Sequence, residues 1–191
     1  MKRFIQLLAV LASVVIVMGC SSPDQDELAN EQQQVVEELQ SMLNAAVQYQ
    51  KDTGQPLPIT SDTDVAFGYL AIDDLIEDPG IEGWQGPYLP YNNDWFGFEQ
   101  YVSHPDYIAA QLLAKEEVEW SKGSTPEGCS ETSSSCRMSA CIWSVPEAVA
   151  KGINEQLDGV INDSEVDKTG MVRFEGGLVW IVCMVGDDYS L

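Results

Sequence analysis

The stretch ELANEQQQVVEELQSMLNAAVQYQK, residues 27–51, decides the fold. Leu28, Val35, Leu39, Met42, Ala46 and Tyr49 recur at steps of seven, four, three, four and three, which places them on one face of a long amphipathic helix. Val36, Leu43 and Val47 widen the stripe, while Glu31, Glu37, Glu38 and Gln40 populate the wet side. Acidic residues crowd the first half and Lys51 the last turn, the arrangement the helix dipole favours. Gly54, with Pro56 two residues on, stops the helix. Such a helix suits an ordinary core element and equally a spine leading up from a membrane.

Downstream, Phe67 to Leu70 reads as a short strand or turn and Ala71 to Glu77 as a short helix. Residues 79–90 hold too many glycines and prolines for regular structure and form a loop. Asn92 to Tyr107 continues loop-like and aromatic, Tyr107 to Leu113 is a candidate strand, and Lys115 to Trp120 is charged and ambiguous. Ser139 to Trp143 reads as a strand, after which Ser144-Val145-Pro146-Glu147 has the pattern of a capped helix start. Val149, Ile153 and Leu157 face the core, and Gly159 ends that helix. Met171 to Glu175, the pair Gly176-Gly177 and Leu178 to Val185 spell a hairpin. The expected fold is α+β: a long N-terminal helix packed on a small, mostly antiparallel sheet, with a second helix inserted before a C-terminal hairpin.

The leader bears on location. Met1-Lys2-Arg3 precedes an apolar run from Phe4 to Met18, and Val17-Met18-Gly19-Cys20 gives way at once to polar Ser21-Ser22-Pro23. The run is shorter than the roughly twenty residues a membrane span needs and has the flanks of a secretory signal. Gly19 and Cys20 suit lipoprotein signal peptidase, so Cys20 is the candidate lipidation site. The division expected is a signal peptide over 1–19, a lipidated cysteine and tether over 20–26, and one globular domain over 27–191. Ser21 rather than an aspartate behind the cysteine favours the outer membrane, facing the periplasm; retention in the inner membrane by the apolar segment is the alternative.

Without Lys2 and Arg3, seven basic residues stand against 31 acidic ones, a formal charge of −24. That surface repels phosphate backbones, so nucleic acid is a poor partner, and it makes attachment to a membrane depend on lipid rather than on basic patches. Setting Cys20 aside leaves Cys129, Cys136, Cys141 and Cys183, an even number that in an exported chain reads as two disulfides. Three pairings are open. Cys129 with Cys136, closing a Ser- and Thr-rich loop, and Cys141 with Cys183, tying two strands, is the favoured one. A zinc site lacks both the C-x-x-C spacing and the histidines.

Three pieces in order resemble the soluble part of type IV pilins and type II secretion pseudopilins. They are Ala45-Ala46-Val47-Gln48-Tyr49 with Asp52-Thr53-Gly54; Gly83-Trp84-Gln85-Gly86-Pro87-Tyr88-Leu89; and Trp143 to Pro146, Ile153-Asn154, Asp158-Gly159 and Gly170 to Arg173. The resemblance implies a role in assembling a pilus or secretion machine through contacts with other envelope proteins. The chain departs from the family in lacking its Gly-Phe peptidase site, the glutamate after it and the membrane helix that packs in the filament core. A pilin-like domain used outside the shaft fits that departure, and an atypical minor pseudopilin of the inner membrane is the rival.

Catalytic signatures are thin. His104 is the one histidine, and its His104-Pro105-Asp106 tripeptide lacks the context of a cochaperone motif. Carboxylate pairs such as Asp73-Asp74 carry little information in so acidic a chain, and Asp158, Asn162, Asp163, Glu165 and Asp167 fit no calcium loop. No cofactor or metal is expected, and the chain is read as a non-enzyme, with an anchored hydrolase or glycan-binding protein as a further alternative. Trp84, Tyr88, Tyr91, Trp95 and Phe96 fall within thirteen residues and are candidates for partner contact, although aromatics so grouped also cover small cores.

Overall fold

A computed structural model describes residues 23–60, 64–93, 97–121, 126–130, 133 and 135–189. The leader and Cys20 lie outside the described residues, as do Trp95 and Phe96. Helix α1 runs Pro23–Thr53, four residues earlier than the heptad-like stripe required, because proline is well suited to a first helical turn. Asp24 and Asp26 lie in its first turn. Val35, Leu39, Met42, Leu43, Ala46 and Tyr49 are buried, as the stripe demands. Gly54 adopts a left-handed φ of 71° and its N–H closes on the Gln50 carbonyl.

Six strands follow: β1 (Val102–Ser103), β2 (Ala109–Glu116), β3 (Cys136–Trp143), β4 (Val166–Asp167), β5 (Val172–Glu175) and β6 (Ile181–Asp188), with α2 (Glu147–Asp158) between β3 and β4. They form one antiparallel sheet in the order β1-β2-β3-β6-β5-β4. The molecule is an α+β fold with α1 and α2 on one face of this sheet. Leu112, Ala114, Ala140, Ile142, Val182, Met184, Val172 and Phe174 point to the helices and share a core with α1 and with Val149 and Ile153 of α2. On the opposite face Tyr69, Leu113, Trp120, Cys141, Ile181 and Cys183 form a second, smaller core under the loops. Burying both faces removes the period-two alternation that marks a half-exposed strand. Strand β2, seven of whose eight residues are buried, consequently runs through the charged Lys115-Glu116 pair.

Several local expectations are corrected. The β5–β6 connection is not a two-residue turn at Gly176-Gly177: Glu175 pairs with Ile181, so residues 176–180 are the loop. Trp180 is drawn out of the ladder because its carbonyl accepts the N–H groups of Ser144 (2.7 Å) and Val145 (3.2 Å), while its ring lies 5.7 Å from Phe174. The same bond disarms the capping box. Ser144 sits at φ 76° facing Trp180, and Pro146 occupies the N-cap position of α2 without a side-chain cap. The short helix expected over Ala71 to Glu77 is a 3-10 turn, Ile72–Leu75. A second such turn, Val65–Phe67, precedes Tyr69 and Leu70, which bridge to Leu113 and Ile59.

The sheet's margins are short. Beyond β1, the edge of β2 is covered by chain: Ala114 N–H bonds Gly68 O (2.7 Å), Leu70 N–H bonds Leu112 O (3.0 Å), and Cys129 N–H bonds Ala114 O (3.0 Å). Covering an edge in this way hides unpaired backbone groups from other chains.

Candidate functional site

The four cysteines beyond Cys20 pair as Cys129–Cys136 and Cys141–Cys183. The second is a cross-strand bridge: Cys141 of β3 lies directly opposite Cys183 of β6, and both are fully buried in the outer core. The first ties the segment that covers β2 to the start of β3. Both are structural staples rather than reaction centres by position.

The aromatic group divides. Trp84 and Tyr88 meet edge to face at 5.7 Å, Tyr88 reaches Tyr49 of α1 at 6.0 Å, and the Trp84 indole donates to the Asp74 carbonyl at 2.8 Å. These two rings therefore cap the C-terminal part of α1, half-buried against the main core. Tyr91 packs instead on His104, 5.3 Å between ring centres.

His104 forms a structured polar group that its local sequence does not announce. Its Nε2 lies 2.7 Å from Glu38 Oε2, and its Nδ1 accepts the N–H groups of Asp106 and Tyr107, each at 3.1 Å. Accepting at Nδ1 places the ring proton on Nε2, from which it donates to Glu38. The imidazole side chain has no solvent exposure. The His-Pro-Asp tripeptide is thus a turn stapled to α1, reinforced by the Tyr107 hydroxyl donating to Glu31 at 3.0 Å. A general base needs a ring nitrogen within reach of a substrate proton, and both nitrogens here are committed to the protein.

The acidic loop is likewise used internally. Asp158 accepts the N–H groups of Met171 (3.0 Å) and Val172 (2.9 Å), and Asp167 accepts from Asn162 (2.8 Å) and Thr169 (3.0 Å). Among the described residues no group of histidine, cysteine and carboxylate side chains is arranged to hold a metal ion.

Two polar features take their meaning only from the fold. On the outer face of the sheet Lys115 is fully buried, its ammonium 5.9 Å from the centre of the Trp120 ring, and Arg173 stacks on the same indole at 4.7 Å. Burial pushes the Lys115 ammonium down to about 8, opposed by the nearby Glu127. Arg173 also donates to the Val118 carbonyl at 2.8 Å, so the pair of cations and the indole between them hold the loop after β2 onto the sheet.

The second feature is a carboxylate cluster beside Tyr49. Burial first, then the neighbouring Asp73 and Glu99, together raise Asp74 to about 6 against the opposing Tyr49 hydroxyl. Asp73 moves in the same direction, chiefly by burial and then by Glu99. A carboxyl raised in the folded state stabilises fully below its unfolded value near 3.8, and that contribution is lost as pH rises through about 6. Asp74→Asn should accordingly stabilise the protein at pH 7 by about 1 to 2 kcal/mol, allowing for solvent screening of a half-buried group. The gain should vanish near pH 4. Thermal melts of both proteins from pH 4 to 8 check this, and a pH-independent difference between them would contradict it.

No family model matches the chain, and neither a curated protein nor a solved structure does.

Proposed function

We propose that this is a lipid-anchored envelope protein, held at Cys20, whose α+β domain works through protein contacts in the periplasm rather than by catalysis. Assembly of a pilus or type II secretion machine is the role proposed, on the resemblance of the three sequence pieces described above. The observation that carries the anchor is one of pairing. Cys129, Cys136, Cys141 and Cys183 satisfy one another in two bonds, which leaves Cys20 as the odd thiol of the five, directly behind an apolar leader. An oxidising compartment suits both facts. The contact reading draws support from His104, whose two ring nitrogens are spent on Glu38 and the backbone.

Intact-mass and N-terminal peptide mass spectrometry of protein recovered from cell membranes tests the anchor. The expected product begins at Cys20 and carries a diacyl or triacyl modification. Recovery of the chain with Met1 to Gly19 in place and no fatty acid would overturn the proposal in favour of retention by the leader itself.

A further inference from the structure

The strand register defines two ends of the sheet. At one end β2 begins, β3 and β5 finish and β6 begins, since Ala109 pairs with Trp143, Trp143 with Ile181 and Glu175 with Ile181. Helix α1 begins at this same end. Its Glu31 takes the Tyr107 hydroxyl, just ahead of β2, and its Gln32 amide donates to the Ala148 carbonyl of α2 at 3.4 Å. At the opposite end Tyr189, just past β6, donates its hydroxyl to Leu57, just past α1. The helix and β6 thus run in the same direction, and the chain enters the domain at the end where the strands β2 and β6 start.

Large apolar side chains exposed to water gather at that entry end. Leu178, at the tip of the β5–β6 loop, is fully exposed, Ile161 is 75% exposed and Ile108 41%. They make up three of the eight such side chains among the described residues. Ile161 lines a shallow cavity of about 280 Å³ together with Leu28 and Gln32 of α1, and Ile108 directly follows Tyr107. Scattered singly, exposed apolar residues need no explanation; grouped on loops around the point of chain entry, they do.

Only Ser21 and Ser22 separate Cys20 from Pro23. Three Cα–Cα steps span at most about 11 Å and the stretch of α1 from Pro23 to Glu31 adds about 12 Å, so an acyl group on Cys20 would keep this end of the domain facing the bilayer and let it seat there with α1 tilted. We infer that the entry end is a membrane seat, with Ile161 and Leu178 as apolar tips that enter the headgroup region of a zwitterionic lipid surface beside the anchor. The inference rests on the lipidation proposed above. The acidic side chains at the same end, Glu27, Asp106, Asp163 and Glu165, select against anionic lipid and for neutral headgroups of the ethanolamine or choline type. Each tip adds little affinity alone. The anchor supplies the high local concentration that makes small contacts count.

The full chain, expressed with its leader and purified in the form cells make, is reconstituted into phosphatidylethanolamine–phosphatidylcholine vesicles whose acyl chains carry bromine, a short-range quencher of indole emission. Ile161→Trp and Leu178→Trp are compared with Val118→Trp, an exposed site beyond the far end of β2. The emission contributed by the new indole at 161 and at 178 should fall about twofold, as for side chains resting at interfacial depth, while that at 118 should not change. Mass spectrometry of the same samples reports acylation. An acylated Cys20 without extra quenching at either tip overturns the seat and leaves the anchor standing. An unacylated chain whose tips are quenched keeps the seat and overturns the anchor, and an unacylated chain with unquenched tips overturns both.

Discussion

Replacing Cys141 and Cys183 together by alanine should lower the unfolding free energy by about 2 to 5 kcal/mol, the range found when small exported domains lose a native bridge. The position of the bond explains why the effect is large. It joins β3 and β6, the two central strands of the sheet, across 42 residues of sequence that include all of α2, β4 and β5. In the unfolded chain that closed loop forbids many conformations, and its release returns them. Both residues are also wholly buried beneath Trp143, Ile181 and Val185, so the alanines leave unfilled space in the outer core. Urea unfolding monitored by tryptophan fluorescence gives the measurement. A loss under about 1 kcal/mol would show that the unfolded state is already restrained there by other means.

Gly68→Ala should be comparably damaging for an unrelated reason. Gly68 sits at a left-handed φ of 64°, which costs a residue with a Cβ about 1 to 2 kcal/mol. The added methyl would also overlap the carbonyl oxygen of Ala114 and come within 2.8 Å of the Gly128 Cα. Neither is a side chain that can swing aside, so the backbone must move, at about 1 to 3 kcal/mol more. Gly54→Ala separates the two contributions. It shares the left-handed conformation, at φ 71°, yet has open space where the Cβ would go, and should cost only the first. Hydrogen exchange adds a local readout: the Ala114 amide, bonded to the Gly68 carbonyl at 2.7 Å, should exchange faster in the Gly68 variant alone. Equal losses for the two variants would argue against the overlap.

What the sequence discloses follows from how each element is buried. Helix α1 has one dry face and one wet one, so its 3.6-residue period is printed in the chain and its stripe could be read residue by residue. Strand β2 is dry on both faces, and the residue that obscures it, Lys115, is a charge in a fully buried position that no periodicity argument would place there. Strands β1 and β4 are two residues long and owe their conformation to neighbours rather than to their own composition. The Gly176-Gly177 pair and the Ser144 box are sound local signals overruled by one long-range bond, from Ser144 to the Trp180 carbonyl. Among site residues the disulfides were legible because an even set of cysteines restricts the choices to three. The His104–Glu38 contact spans 66 positions of sequence, and the Asp73-Asp74 pair acquires meaning only when folding sets Glu99 and Tyr49 beside it. Neither leaves a trace in spacing.

The outermost strands of the sheet, two residues each, have a consequence for any larger assembly. A neighbour trying to prolong the ladder would find room for scarcely one rung on either flank. Extending these two strands by shared main chain would therefore gain a partner little, and recognition of this domain falls to its helices and loop tips, where specificity resides in side-chain chemistry and can be altered one residue at a time.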